Sequence, residues 1–114
     1  MLRRSFLAAL AATALVAGAV PAAAQEVVKI GLIIPLTGPF TTTGKQLEAA
    51  ARLYMQQNGT TVAGKKIELI VRDDAGRAEN TARIASELIQ NDKVSFIAGF
   101  GLTPLAMATA PIAT

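Results

Sequence analysis

Three short runs of β-branched and apolar residues, separated by two longer amphipathic stretches, restrict what this chain can fold into. Val27 to Ile34 reads VVKIGLII, Lys66 to Arg72 reads KIELIVR, and Val94 to Ala98 reads VSFIA. Near-continuous apolar runs of this length suit strands buried on both faces of a parallel sheet. After the first run, Gly44 to about Gln57 carries Leu47, Ala50, Ala51, Tyr54 and Met55 at helical spacing, and Asn58-Gly59 stops it. After the second, about Ala78 to Asn91 repeats Ala82, Ala85, Leu88 and Ile89 in the same way. Thr103-Pro104 opens a third helix, with Thr as cap and Pro at the first helical position. Strands alternating with helices imply right-handed crossovers and a parallel α/β sheet. Three such units do not close a domain, and the last helix meets no stop signal before Thr114. The expectation is the first part of a longer lobe.

The segment before the first strand has a different character. Arg3 and Arg4 precede an uncharged apolar stretch from Ser5 to Val20, Pro21 breaks it, and Ala22-Ala23-Ala24 fits a small-x-small cleavage site. The stretch is shorter than the ~20 residues of a spanning helix. Residues 1–24 therefore read as a secretory signal peptide and 25–114 as the mature segment, not membrane-spanning after cleavage. Arg3-Arg4-Ser5-Phe6-Leu7 approaches the twin-arginine pattern but lacks its preceding Ser/Thr and following Lys, which favours the general secretory route. A lipid-tethered form would need a cysteine after the apolar run, and the chain has none.

Composition removes several function classes. With no Cys and no His, thiol nucleophiles, Ser-His-Asp triads and His- or Cys-ligated zinc are excluded. Aromatics make up 4% of residues and the basic residues are scattered, so no nucleic-acid partner is expected. The net charge of +3 owes two of its 11 basic residues to the export signal, and says little about a partner. No cofactor or metal is expected.

In an open α/β sheet a ligand sits beyond the carboxyl ends of the strands, where neighbouring connections leave on opposite faces. With the first run central, that crevice is lined by residues 36–44 and 99–104. Both loops lead into helix N-termini, which favour an anion. Gly44, Gly99 and Gly101 permit close backbone approach, and Thr37, Thr41, Thr42, Thr43 and Thr103 offer hydroxyls that donate and accept. Of these, Gly44, Gly101, Thr37, Thr42, Thr43 and Thr103 belong with Gly38 to the candidate ligand-binding set. Phe40, Phe100 and Leu102 complete the candidate ligand-binding set. Asp73-Asp74 follows an outer strand and reads as a turn and capping pair away from the crevice. Gly38 to Gln46 imitates a phosphate-binding loop, but five residues separate its glycines where four are required, and Gln46 stands where the magnesium-binding hydroxyl belongs.

VKIGLIIPLTGPF with Gly44, KKIELIVRDDAGRAENTARIASELI and VSFIAGFGLTPLAMATAPIA, in this order, resemble the extracytoplasmic solute-binding proteins of ABC importers, type I, similar to leucine/isoleucine/valine-binding proteins. The resemblance implies a parallel-sheet, Rossmann-like lobe, incomplete here at three strand-helix units, in a protein that performs no catalysis. It implies two lobes closing on a small solute, delivery to a membrane permease, and residence in the periplasm. The alternative from another class is a ligand sensor of the same fold that reports to a signalling partner. The family's hydroxyls for an amino-acid carboxylate fall at Leu102 and Thr103, so one is replaced by an apolar side chain. A frequent aromatic before Gly44 is Thr43 here, and two cysteine positions of some relatives are Gly76 and Gly101. Branched-chain amino acids, amides, urea-like solutes and small organic acids all stay open, and Phe100 and Leu102 lean towards an apolar or aromatic acid.

Overall fold

A computed structural model describes residues 23–114; the signal-peptide reading falls almost entirely outside them. The first apolar run is strand β1 (Val27–Ile34), and its neighbours are β3 (Lys65–Asp73) and β4 (Phe96–Gly99). β1 pairs in parallel with β3 from Val27↔Lys66 to Ile34↔Asp73, and with β4 from Ile30↔Phe96 to Ile33↔Gly99. The central position expected for the first run is therefore the observed one.

The sheet is not purely parallel. A two-residue strand, β2 (Thr61–Val62), turns back antiparallel onto β3 and gives the order β2-β3-β1-β4. Ala63 and Gly64 make that turn with φ of 49° and 79°. Two consecutive left-handed residues form the tight connection whose twist matches a hairpin. Two paired residues are too few for an alternating pattern to show in the sequence.

Helix α1 (Thr41–Asn58) lies over one face of the sheet, and α2 (Ala78–Glu87) with α3 (Thr103–Ala113) over the other. α2 continues into a π-helical turn, Leu88–Asp92, and Lys93 leaves it in a left-handed conformation. The main core is on the α2 side. Ile33, Ile84, Ala85 and Leu88 are buried together, with Ile70, Val94, Ile97 and Phe100 packed against them. Gly31 lets α2 sit close, because a Cβ there would stand 2.7 Å from Leu88 Cδ1. Burying a Leu side chain fully is worth about 1.5–3 kcal/mol, so Leu88 is a principal anchor of this face.

The α1 side is looser. Gly44 is the buried residue of that helix, whereas Leu53 is 51% and Tyr54 67% exposed. Between α1 and the sheet lies a cavity of about 380 Å³ lined by Ile30, Ala51, Tyr54, Met55, Val62, Ile67 and Leu69. Among the described residues no helix is long and apolar enough to cross a membrane.

Candidate functional site

The carboxyl end of β1 runs into buried Pro35, and the chain then turns through residues 36–40 into α1. The helix starts at Thr41, three residues ahead of the Gly44 start expected from sequence. Thr42 and Thr43 thus stand exposed in the first helical turn, not in a loop. By position their N–H groups precede the first intrahelical acceptors, as at any helix start. Phe40 takes the cap position without a side-chain cap, and the Thr41 hydroxyl donates back to Gly38 O at 2.6 Å. Gly38 makes its turn with φ 83°. Gly44 packs against the strand end: a Cβ there would lie 1.8 Å from Pro35 O, so no side chain fits.

The second loop leaves β4 through Gly99, with φ 109° and no room for a Cβ beside Ile33 O. Phe100 follows with φ 70°, a left-handed backbone that is uncommon outside Gly, Asn and Asp. Its N–H donates to Ile33 O at 2.8 Å, which ties the loop to β1. The Phe100 ring packs on the Ile33–Ile84–Ala85–Leu88 cluster, so its side chain serves the core and its backbone shapes the loop. Gly101 then presses on the first loop, since a Cβ there would be 2.9 Å from Pro35 Cγ. That contact brings the two loops together.

Leu102, extended at φ −141° and ψ 145°, is the cap residue of α3. The cap expected at Thr103 is therefore one residue earlier, and exposed Thr103 is the first residue of the helix with Pro104 after it. Phe40 sits on the other flank, 40% exposed, with its ring beside Gly76 of the β3–α2 turn.

Asp73 makes the expected turn, accepting from Ala75 N, but does not lie away from the crevice. It ends β3, and the register places it opposite Ile34, at the mouth of the first loop. Asp73 Oδ1 accepts from the amides of Leu36 at 2.7 Å, Thr37 at 3.3 Å and Ala75 at 2.8 Å, and Oδ2 accepts from the Thr37 hydroxyl at 2.6 Å. Burial alone would raise the Asp73 pKa, and the hydrogen bonds from the Thr37 hydroxyl and the Ala75, Leu36 and Thr37 amides outweigh it, leaving the carboxyl below its ordinary value. The available signal was positional, because an Asp closing one strand of a parallel pair faces the amides that leave the other. Asp74 is the structural member of the pair. It is fully buried, accepts from Gly76 N and from the Thr81 hydroxyl at 2.8 Å each, and so fixes the β3–α2 turn.

Among the described residues no group of three or more acidic side chains is placed to hold a metal ion. What the geometry offers is a crevice rim of glycine-permitted backbone, hydroxyls and helix-start amides, the equipment for holding a small polar solute.

The fold is an α/β lobe with a mostly parallel sheet, and comparison with known proteins assigns its family. Residues 27–114 match the family model for periplasmic binding proteins, and the chain belongs to that family. It is a family of binding proteins, not of enzymes. The chain is 41% identical over 106 residues to Leu/Ile/Val-binding protein homolog 6 of Brucella abortus, covering 91% of this chain and 27% of that protein. It is 57% identical, with a TM-score of 0.77, to a solute-binding protein of an ABC transporter from Rhodopseudomonas palustris BisB5, solved with 3,4-dihydroxybenzoic acid; the match covers 79% of this chain and 25% of that one. A leucine-binding protein from Thermotoga maritima is 30% identical, with a TM-score of 0.71, over 75% of this chain and 24% of that one. The chain therefore spans about a quarter of the length of these relatives.

Proposed function

We propose that residues 25–114 form the first part of the amino-terminal lobe of an extracytoplasmic solute-binding protein, with residues 1–24 as its export signal. In this reading the protein works in the periplasm and hands its solute to the membrane permease of an ABC importer. The observation that carries it is the meeting of the β1–α1 and β4–α3 loops, held by the Gly101–Pro35 contact at the carboxyl ends of adjacent strands.

The solute we favour is a small aromatic acid. The 57% identity to the dihydroxybenzoate-bound protein exceeds the 30% identity to the leucine-binding one. Leu102 adds an apolar surface where the family resemblance implies a hydroxyl. A branched-chain amino acid is the second reading, supported by the 41% identity to a Leu/Ile/Val-binding homologue. The carboxylate of an aromatic acid pairs with the first-turn amides of α1 at Thr42 and Thr43, where the helix dipole favours negative charge, whereas for an amino acid the family resemblance places it at Thr103. Thr37, Gly38, Phe40 and Gly44 build that side of the crevice, and Gly101, Leu102 and Thr103 the other. A facing lobe closes over the solute as a hinge-bending population shift.

A thermal-shift screen of the full-length protein against aromatic acids and branched-chain amino acids tests this. A true ligand at 100 times its Kd adds about 2.7 kcal/mol of stability. Stabilisation by 3,4-dihydroxybenzoate and not by leucine is the expected result; no response to either class would sink the proposal.

A further inference from the structure

We propose that Asp73 makes Thr37 an acceptor-only station at the crevice, so that the β1–α1 loop reads a hydrogen-bond donor on the solute and not its carboxylate. The inference rests on the solute-binding reading above and adds to it which end of the solute this loop recognises.

A threonine hydroxyl has one proton and two lone pairs. The Thr37 proton is committed to Asp73 Oδ2 at 2.6 Å, a length typical of an O–H group bound to an ionised carboxylate. The Thr37 and Leu36 amides also bind Asp73, on Oδ1, so the whole turn is held in one orientation. Thr37 itself is exposed, and its hydroxyl oxygen keeps lone pairs for a solute. Asp73 Oδ2, with the Thr37 hydroxyl as its one described donor, has acceptor capacity left as well. Both free positions therefore accept. A solute carboxylate placed there would meet the charge of Asp73 and could recruit the Thr37 proton only by breaking the 2.6 Å bond. A phenolic hydroxyl or an ammonium group meets no such obstacle. Donors for the anionic end lie separately, on the first turn of α1. The rim is thus polarised, with acceptors at Thr37 and Asp73 and donors at Thr42 and Thr43.

The test uses the full-length protein and two matched probe pairs that differ only in hydrogen-bond donors: 3,4-dihydroxybenzoate, with two hydroxyls, against benzoate, and leucine, with its ammonium, against 4-methylpentanoate. Calorimetry gives the Kd ratio within each pair for the wild type, Thr37→Val, Thr37→Ser and Asp73→Asn. Preference for the donor-bearing member should fall about tenfold in Thr37→Val, the worth of one hydrogen bond. It should fall similarly in Asp73→Asn, whose amide can donate to Thr37 and release its proton, and it should persist in Thr37→Ser. Should Asp73→Asn fail to fold, the exposed Thr37 variants still decide the matter. Equal weakening of both members of a pair, with an unchanged ratio, would mean a purely structural role and overturn the inference. If the benzoates fail to bind while the leucine pair binds with the expected ratios, the aromatic-acid reading falls and the Thr37 inference stands. A wild type that binds neither pair overturns both.

Discussion

Gly44 cannot become alanine without displacing the end of β1, because its Cβ would stand 1.8 Å from Pro35 O and that atom is backbone. Gly44→Ala should destabilise the protein by about 3 kcal/mol, at the upper end of overpacking costs, measured by denaturant unfolding. Asp73 acts through charge instead of shape. Its folded-state pKa is depressed, so its contribution to stability is fully present above the unfolded-state value of about 3.9 and is lost as pH falls through the folded-state value. Below about pH 4 the wild type should therefore lose stability more steeply than Asp73→Asn, read as Tm against pH; parallel curves would contradict the assigned hydrogen bonds. Thr37, Gly38 and Gly101 stand in loops, as expected from the sequence, whereas Thr42, Thr43, Gly44 and Thr103 lie within the first turns of helices. The partnership of Asp73 with Thr37 was not legible there, because it depends on a strand register that no local pattern encodes. Phe100 was legible as loop, but its ring packs on the core, and only the left-handed backbone at φ 70° explains how it turns inward.

At the scale of elements, β1 coincides with its apolar run, since an unbroken stretch bounded by Glu26 and Pro35 leaves little choice. The start of α1 was hidden because Phe40 caps it without a side-chain hydrogen bond, and sequence signals for helix starts are mostly those side chains. The two faces of the sheet should respond differently to truncation. Leu88 is fully buried where the π-helical turn meets β1, and Leu88→Ala should cost about 2–5 kcal/mol. Leu53 on α1 is 51% exposed, and Leu53→Ala should stay within about 0.5 kcal/mol in the described segment. Urea unfolding of the two variants checks the contrast, and comparable losses would mean that the α1 face is packed as tightly as the α2 face.

Across the whole molecule, the alternation of strand and helix was enough to reach the fold class, and the crevice followed from the strand order. The antiparallel β2 edge and the exact loop-to-loop contact needed the three-dimensional register. The loops converge because β4 is bonded to β1 and Gly99 and Gly101 set no Cβ against Ile33 and Pro35. The central claim is that this meeting point holds the solute. It is tested most directly by crystallising the full-length protein with the solute that gives the largest thermal shift. Solute density is expected against Thr37, Thr42, Thr43 and the Gly101–Thr103 segment, with the carboxylate of an aromatic acid at the start of α1. Density elsewhere, with this rim filled only by solvent, would contradict it.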